Sequence, residues 1–282
     1  MKVTVLGATG LLGTDLAALL RNRGHEVIAL SSKDLDISDH QAVMQHPGLA
    51  KKNAHWVINC AAYTKVDLAE SEPELARDVN EEGVLNLCER LQNGPRLLHV
   101  STDFVFDGLK PTPYVETDAT NPLGIYGQTK LQGEHYAEAM LDDAIIFRTS
   151  WLWGSHGQCF PKTMIHLWES GRDFGVVNDQ FGCPTHTLDL STAIVEATER
   201  KIEGGIYHAA GHQRMSWHGF AEMVLTFHAG KFVSVRELTT AEYPTAATRP
   251  ANSVLSTEKL DALGIMPWEP VSAERVRDLT SN

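Results

Sequence analysis

Over the first half of the chain, short apolar runs alternate with stretches whose apolar residues recur at helical spacing. Val3-Thr4-Val5-Leu6 is β-rich and stops at Gly7, and Leu11 to Arg23 then keeps a helical period up to Gly24. The alternation returns: Glu26 to Leu30, His55 to Asn59, Arg96 to Ser101 and Ala144 to Arg148 read as strands, while Val66 to Gln92, broken at Pro73, and Tyr126 to Met140 read as helices. Strands separated by helices predict an α/β fold, a Rossmann-like, doubly wound parallel sheet.

Beyond Ser150 the texture changes. Trp, Gly, Pro and His become frequent, with helices expected at Lys162 to Ser170, Leu188 to Arg200, Trp217 to His228 and Thr257 to Leu263. Short strands are expected near Phe174 to Val177 and Ile206 to His208. The pattern divides the chain into a sheet domain, 1–150, and a smaller lobe, 151–282, some segments of which can return to the sheet domain.

Composition acts mainly by exclusion. Lys plus Arg number 24 against 36 Asp plus Glu, a net charge of −12, which argues against a nucleic-acid groove or an anionic membrane surface as partner. Asp15 and three glycines interrupt the apolar stretch from Val3 to Leu20, so it reads neither as a signal peptide nor as the run of roughly 18 apolar residues that spans a membrane. Cys60, Cys88, Cys159 and Cys183 lie far apart without a CxxC, which disfavours disulfides and zinc knuckles and suits a reducing cytoplasm. His208, His212 and His218 fall close together, yet no carboxylate or Cys stands near them at ligand spacing, so no metal is expected. Monomer and homodimer both remain open.

Two groups of residues carry chemistry. Gly7-Ala8-Thr9-Gly10-Leu11-Leu12-Gly13 is a GxxGxxG turn between the first strand and the first helix, where backbone N–H groups and a helix N-terminus can meet a pyrophosphate. At the end of the second strand, where a carboxylate would take the 2′-hydroxyl of NAD, the chain has Ser31-Ser32-Lys33. Two hydroxyls and an ammonium suit a 2′-phosphate, which favours NADPH and leaves NADH possible; Asp34 and Asp36 stand close by.

The second group is Thr102, Tyr126 and Lys130. Tyr126 and Lys130 are four apart at the start of a helix and so share a face, and Thr102 follows the fourth strand. A free phenol, with a pKa of about 10, is a poor acid-base group at neutral pH unless a cation stabilises its phenolate. Lys130 can supply that cation, and the Thr102 hydroxyl can hold an oxygen on which charge develops.

Further segments extend the pattern almost end to end. They are Asn59-Cys60-Ala61-Ala62-Tyr63-Thr64-Lys65-Val66-Asp67, Ser101-Thr102-Asp103-Phe104-Val105-Phe106-Asp107-Gly108, Arg148-Thr149-Ser150-Trp151, Asp179 to Thr185 and Arg249-Pro250-Ala251-Asn252-Ser253. With them the chain resembles the extended short-chain dehydrogenases/reductases, and among these the dTDP-4-dehydrorhamnose reductase family. The resemblance implies NADPH-dependent reduction of the C4 ketone of dTDP-4-dehydro-L-rhamnose, with Thr102, Tyr126 and Lys130 catalytic. It implies that Gly10, Leu11, Leu12, Asp36, Ile37, Ala61, Ala62, Tyr63 and Thr64 line the cofactor, which Lys130 also touches. Thr102, Asp103 and Trp151 would contact the dTDP-sugar. Arg249 would either grip the diphosphate or anchor a loop through a salt bridge.

Two positions depart from the family pattern: Phe104, where Tyr is common, and Ser31, where some members are acidic. A 4,6-dehydratase would need an acid, typically Glu, directly after the Thr-Asp pair, and Phe104 stands there. A 4-epimerase, a reductase of another dTDP-4-keto-6-deoxysugar and a non-catalytic dinucleotide-binding subunit remain as alternatives; the intact Thr102, Tyr126 and Lys130 weigh against the last.

Overall fold

In a computed structural model, which describes residues 1–280, the five strands expected in the first half all form: β1 (Lys2–Leu6), β2 (Glu26–Leu30), β3 (Trp56–Asn59), β4 (Arg96–Thr102) and β5 (Ile145–Thr149). They pair in parallel in the order β5-β4-β3-β1-β2. Strand order reverses between β1 and β3, and a doubly wound sheet opens a crevice at its carboxyl edge there.

Both faces of this sheet are covered. Val3, Val5, Ile58, Leu98, Ile145 and Phe147 belong to one core layer with Leu12, Leu16 and Leu20 of α1 (Leu11–Asn22) and Leu190 and Ile194 of the helix Thr187–Arg200. Leu6, Val57, Leu97 and Ile146 belong to the other, with Val84, Leu87 and Leu91 of the helix Gly83–Leu91 and Ala137 of the helix Ile125–Met140. Burial on two sides explains why the strands are apolar at successive positions instead of alternating. Each fully buried aliphatic or aromatic side chain contributes about 1.5–3 kcal/mol.

The structure differs from the sequence pattern in several places. The expected helix from Val66 to Gln92 is divided into Val66–Ala69, Pro73–Arg77, a π-turn at Asp78–Glu82 and Gly83–Leu91. The helix expected at Thr257 to Leu263 is a single turn, Glu258–Asp261. The strand near Ile206 forms as Gly205–His208 and joins the main sheet beside β5, while the helix Thr187–Arg200 covers that sheet's face. With these two segments the second half of the chain returns to the first, and Leu260 and Ile265 join the same core layer.

The rest of the second half has a separate core of Trp153, Met164, Val176, Phe220, Val224, Leu225 and Val276. Val276 lies on a short helix, Ala273–Asp278, that the sequence pattern did not announce. Among the described residues no helix is long and apolar enough to cross a membrane.

Charge pins the helix Ile125–Met140 to the sheet. The buried Glu134 carboxylate accepts from Arg148 Nε at 3.0 and 3.1 Å and from its Nη2 at 2.6 Å, and Ser101 of β4 donates its hydroxyl to the same group. Removing one partner strands a buried charge, so Arg148→Met should cost about 3–5 kcal/mol in urea unfolding. Glu134→Leu combined with Arg148→Met should cost much less than Arg148→Met alone. A loss below about 1 kcal/mol in the single variant, the range of a surface pair, would show that the pair does not hold the helix.

Candidate active site

At the carboxyl edge of the sheet lies a cleft of about 420 Å³. Gly7, Gly10, Leu11, Leu12, Gly13, Ala62 and Thr64 line it from the turns that flank the strand-order reversal, and Thr102, Asp103, Tyr126, Lys130 and Trp151 complete it. The structure thus brings together most of the site residues read from the sequence.

The glycine turn is shaped by close approach. Gly7 has a φ of +69°, and a Cβ there would sit 2.8 Å from the Ala61 backbone nitrogen, so only glycine lets the β1 and β3 turns touch. Gly10 donates its N–H to Gly7 O at 3.0 Å and begins α1 without a side-chain cap. The free N–H groups of that first turn are what an anionic phosphate group takes. On the β3 side, Asn80 of the π-turn accepts from the Tyr63 N–H at 2.9 Å and donates to the Tyr63 carbonyl at 3.0 Å. The Tyr63 phenol turns away to Glu72.

The predicted residues beyond β2 do not line this cleft. Ser31 donates both its N–H (2.9 Å) and its hydroxyl (2.6 Å) to Asp34, and the hydroxyl bond, with the N–H bond behind it, holds the Asp34 carboxyl below its ordinary range. Ser32 and Lys33 are exposed, and the Lys33 N–H bonds to the Ser31 hydroxyl at 3.3 Å. Asp36 accepts from Ser38, and the Ile37 side chain is buried in the core.

Thr102, Tyr126 and Lys130 are set by their neighbours. Thr102 ends β4 and donates its hydroxyl to Asp103 Oδ1 at 3.1 Å. Glu70 accepts from the Ile125 N–H at 2.8 Å and so caps the helix that carries Tyr126 and Lys130. Gly127 lets that helix settle on the carbonyl of Phe104, where a Cβ would be 2.2 Å from the oxygen. Phe104 also meets the Tyr126 ring edge-on, with centroids 5.8 Å apart, so the residue that departs from the family pattern buttresses the phenol.

Desolvation pushes Tyr126 up to about 12, against a smaller pull from the Thr102 hydroxyl, and the Asp103 charge adds to the rise. Lys130, buried, donates to the Val100 carbonyl at 2.7 Å and lies 3.2 Å from His99 Nε2. Burial draws it down to about 8, opposed by Glu134 and Cys60. Asn59, Asn80, His99 and Glu134 were not singled out in the sequence. The available signal was a polar residue inside an otherwise apolar strand or on the buried side of a helix.

Trp151 has a φ of +47°, rare for a residue with a large side chain, and stacks on Trp217 with centroids 3.5 Å apart and planes 7° from parallel. Trp217 in turn lines a second cavity of about 290 Å³ with Phe160, Met164 and Tyr243, and Arg249 stands in its wall. Arg249 makes a two-pronged pair with Asp67, at 3.0 and 2.7 Å. Of the two roles weighed for Arg249, anchoring a loop is the one this geometry displays. The grouped histidines serve other segments: His208 Nδ1 lies near the carbonyls of Tyr114 and Ser256, His212 bonds Thr257, and His218 bonds the Val235 carbonyl.

A family profile described as the RmlD substrate binding domain matches residues 1–280. This chain belongs to the RmlD family. A dTDP-4-dehydrorhamnose reductase of Aggregatibacter actinomycetemcomitans is 41% identical to this RmlD-family chain over 283 residues, covering 95% of it and 96% of the relative. The crystal structure of a dTDP-4-dehydrorhamnose reductase from Clostridium acetobutylicum is similar at a TM-score of 0.91 and 36% identity, covering 99% of this chain and 98% of that one. One from Bacillus anthracis, solved in complex with NADP, matches at 0.90 and 35%, covering 99% of each.

Within this RmlD-family site, Asp103 has a pH signature of its own. Desolvation raises its carboxyl from 3.8 to about 7, against hydroxyls of Ser253 and Thr102 that pull it down. The folded chain therefore keeps a proton on Asp103 that the unfolded chain gives up, so this contribution to stability is full below about 4 and is lost as pH rises toward 7. Asp103→Asn, which keeps the site neutral, should gain in Tm over the parent as pH rises from about 4 to 7. Parallel Tm-versus-pH curves would show that Asp103 is ionised in the folded protein throughout.

Proposed function

We propose that this chain reduces the C4 ketone of dTDP-4-dehydro-L-rhamnose with NADPH, giving dTDP-L-rhamnose. The observation that carries this reading is the convergence of Thr102, Tyr126 and Lys130 with the Gly7–Gly13 turn in one cleft, so that a dinucleotide and a proton donor meet at the same place. NADPH, when bound, supplies the hydride. The uncapped start of α1 and the Gly7 cradle fit its pyrophosphate. Ser31, Ser32 and Lys33 would hold the 2′-phosphate once Asp34 releases the Ser31 hydroxyl, and the same Asp34 carboxylate suits the bare ribose of NADH.

The chain's own residues handle the proton. Tyr126, which keeps its phenolic hydrogen far above neutral pH, gives it to the C4 oxygen as charge develops there, and the Thr102 hydroxyl stabilises that oxygen. The phenolate left on Tyr126 is stabilised by Lys130 and takes its next proton from solvent entering the cleft. Asp103, beside Thr102 in the cleft wall, faces the sugar.

The nucleotide end belongs, on this reading, in the second cavity. The Trp151–Trp217 stack stands between the two cavities, with Trp151 lining the first and Trp217 the second. Phe160, Trp217 and Tyr243 offer apolar surface to thymine, and Arg249 lies at hand for the diphosphate if its pair with Asp67 loosens. We place the enzyme in the cytoplasm, a choice supported by its four free cysteines.

Tyr126→Phe should lower turnover by about 10²- to 10⁴-fold while leaving the NADPH Kd, read by fluorescence titration, nearly unchanged. Retention of more than about half the rate would remove Tyr126 from the mechanism. Trp217→Ala should raise KM for the nucleotide sugar roughly five- to 150-fold, the equivalent of about 1–3 kcal/mol of base stacking, with little effect on NADPH. Trp151→Ala, which frees Trp217, should act in the same direction. Unchanged KM with only a lower Tm would make the two indoles core packing. Failure to oxidise NADPH with any 4-keto-6-deoxysugar nucleotide would instead favour a dinucleotide-binding regulatory subunit.

A further inference from the structure

A third cavity, of about 340 Å³, lies at the amino edge of the main sheet, on the opposite edge from the cleft. β3 and β4 begin at it with Trp56 and Arg96, and their other ends lead to the Ala61–Thr64 segment and to Thr102. The reaction leaves this cavity without a role.

Its floor is apolar. Trp56 and Pro95 are buried, and the Arg96 guanidinium lies over the Trp56 ring at 4.4 Å from the centroid. Its rim is cationic. Lys51 and Lys201 are exposed, and among the described residues neither ammonium has a hydrogen bond or an ion pair. Arg96 is braced by its Nε and Nη2, which donate to the Asp143 carbonyl at 3.2 and 2.8 Å. Nη2 also donates to the Ile202 carbonyl at 3.0 Å, and Nε pairs with the Asp143 carboxylate at 3.0 Å. Nη1 is left without a hydrogen-bond partner among the described residues. His55 adds a further donor: its Nδ1 accepts the Lys2 N–H at 2.9 Å, so the ring hydrogen belongs on Nε2. Among the described residues no carboxylate lines this cavity, in a chain whose net charge is −12.

The backbone of Lys201 is a second, independent sign. Lys201 ends the helix Thr187–Arg200 at φ +52° and ψ +50°, the left-handed conformation in which helices commonly close on glycine. Gly230 closes the helix Trp217–Ala229 in that way, at φ +65°. Glycine adopts this conformation without strain, whereas a lysine bears the strain and places an ammonium on the cavity wall.

We propose that this cavity binds a small amphipathic anion, a phosphate monoester on a flat apolar body. The body would lie against Trp56 and Pro95, and the phosphate would be met by Lys51, Lys201, Arg96 Nη1 and His55. An apolar floor with a few converging polar groups is the usual form of a small-molecule site, and walls of one sign raise the local concentration of the opposite ion. The donors outnumber what a single carboxylate charge would use, and a phosphate monoester brings up to two charges and three acceptor oxygens. Inorganic phosphate would leave the floor empty, and a neutral aromatic would leave the cations unanswered.

1-Naphthyl phosphate is a probe with both parts. Titrated into ¹⁵N-tryptophan-labelled protein, it should shift the Trp56 indole signal along a saturating curve, with the same Kd in the presence and absence of NADP. 1-Naphthol and inorganic phosphate should each bind at least about tenfold more weakly. Lys51→Gln combined with Lys201→Gln should raise the Kd for 1-naphthyl phosphate by about tenfold or more, the equivalent of roughly 1.4 kcal/mol. Lys201→Gly, which relieves the backbone, should weaken the probe without lowering Tm. The proposal is overturned by a Trp56 signal that does not move at millimolar probe, by displacement of the probe by NADP, or by equal binding of 1-naphthol or inorganic phosphate. A Kd that is unchanged in the lysine variants overturns it as well.

Discussion

The Glu134–Arg148 ion pair fixes where the helix Ile125–Met140 lies on the sheet, and the site follows from that placement. Arg148 is on β5 and Ser101, which shares the carboxylate, precedes Thr102 on β4, so one buried charge ties the helix that carries Tyr126 and Lys130 to both strands. Two ions taken out of water are costly unless each is fully met, and the two-pronged geometry meets most of that requirement. The Arg148 guanidinium also lies over the Phe106 ring at 5.2 Å, which joins the turn after Thr102 to the same network. Tyr126 and Lys130 inherit their positions from this junction.

A second constraint comes from the topology. Because strand order reverses between β1 and β3, the turns after these strands splay apart and leave a crevice, and the glycine turn and the Ala61–Thr64 segment become its two lips. Gly7 brings the lips into contact at their base, while Asn80 clamps the backbone of Tyr63 from behind. Backbone shape thus places the glycine turn, and the helix Ile125–Met140 brings Tyr126 and Lys130 into the same crevice. The Trp151–Trp217 stack joins this crevice to the second cavity, and its rings belong to the core of the second half as much as to the site.

Much of the candidate site was legible because its signals are local. A glycine turn after the first strand, and a Tyr and Lys one helical turn apart, each report their geometry within a few residues of sequence. The supports were not legible in that way. His99 sits in an apolar strand and would pass for a core residue; only the register of β3 with β4 sets it opposite Asn59. Arg249 and Asp67 are far apart in sequence, and their pairing depends on how the loop near Ala247 returns to the helix Val66–Ala69. The residues after β2 were read from chemistry alone, and the structure shows the Ser31 hydroxyl already given to Asp34.

By itself the sequence determined the fold class, the five strands of the first half and the placing of Tyr126 and Lys130 on one helix, because hydrophobic period and short-range spacing act through neighbouring residues. Tertiary structure alone decided that Gly205–His208 and the helix Thr187–Arg200 rejoin the first half, since a short apolar strand carries no label for the sheet it will pair with. It also decided the burial that draws Lys130 below its ordinary range and the separation of the two cavities. Both arise from groups brought together across the chain, where burial and hydrogen-bond polarity set the chemistry and sequence spacing gives no measure of either.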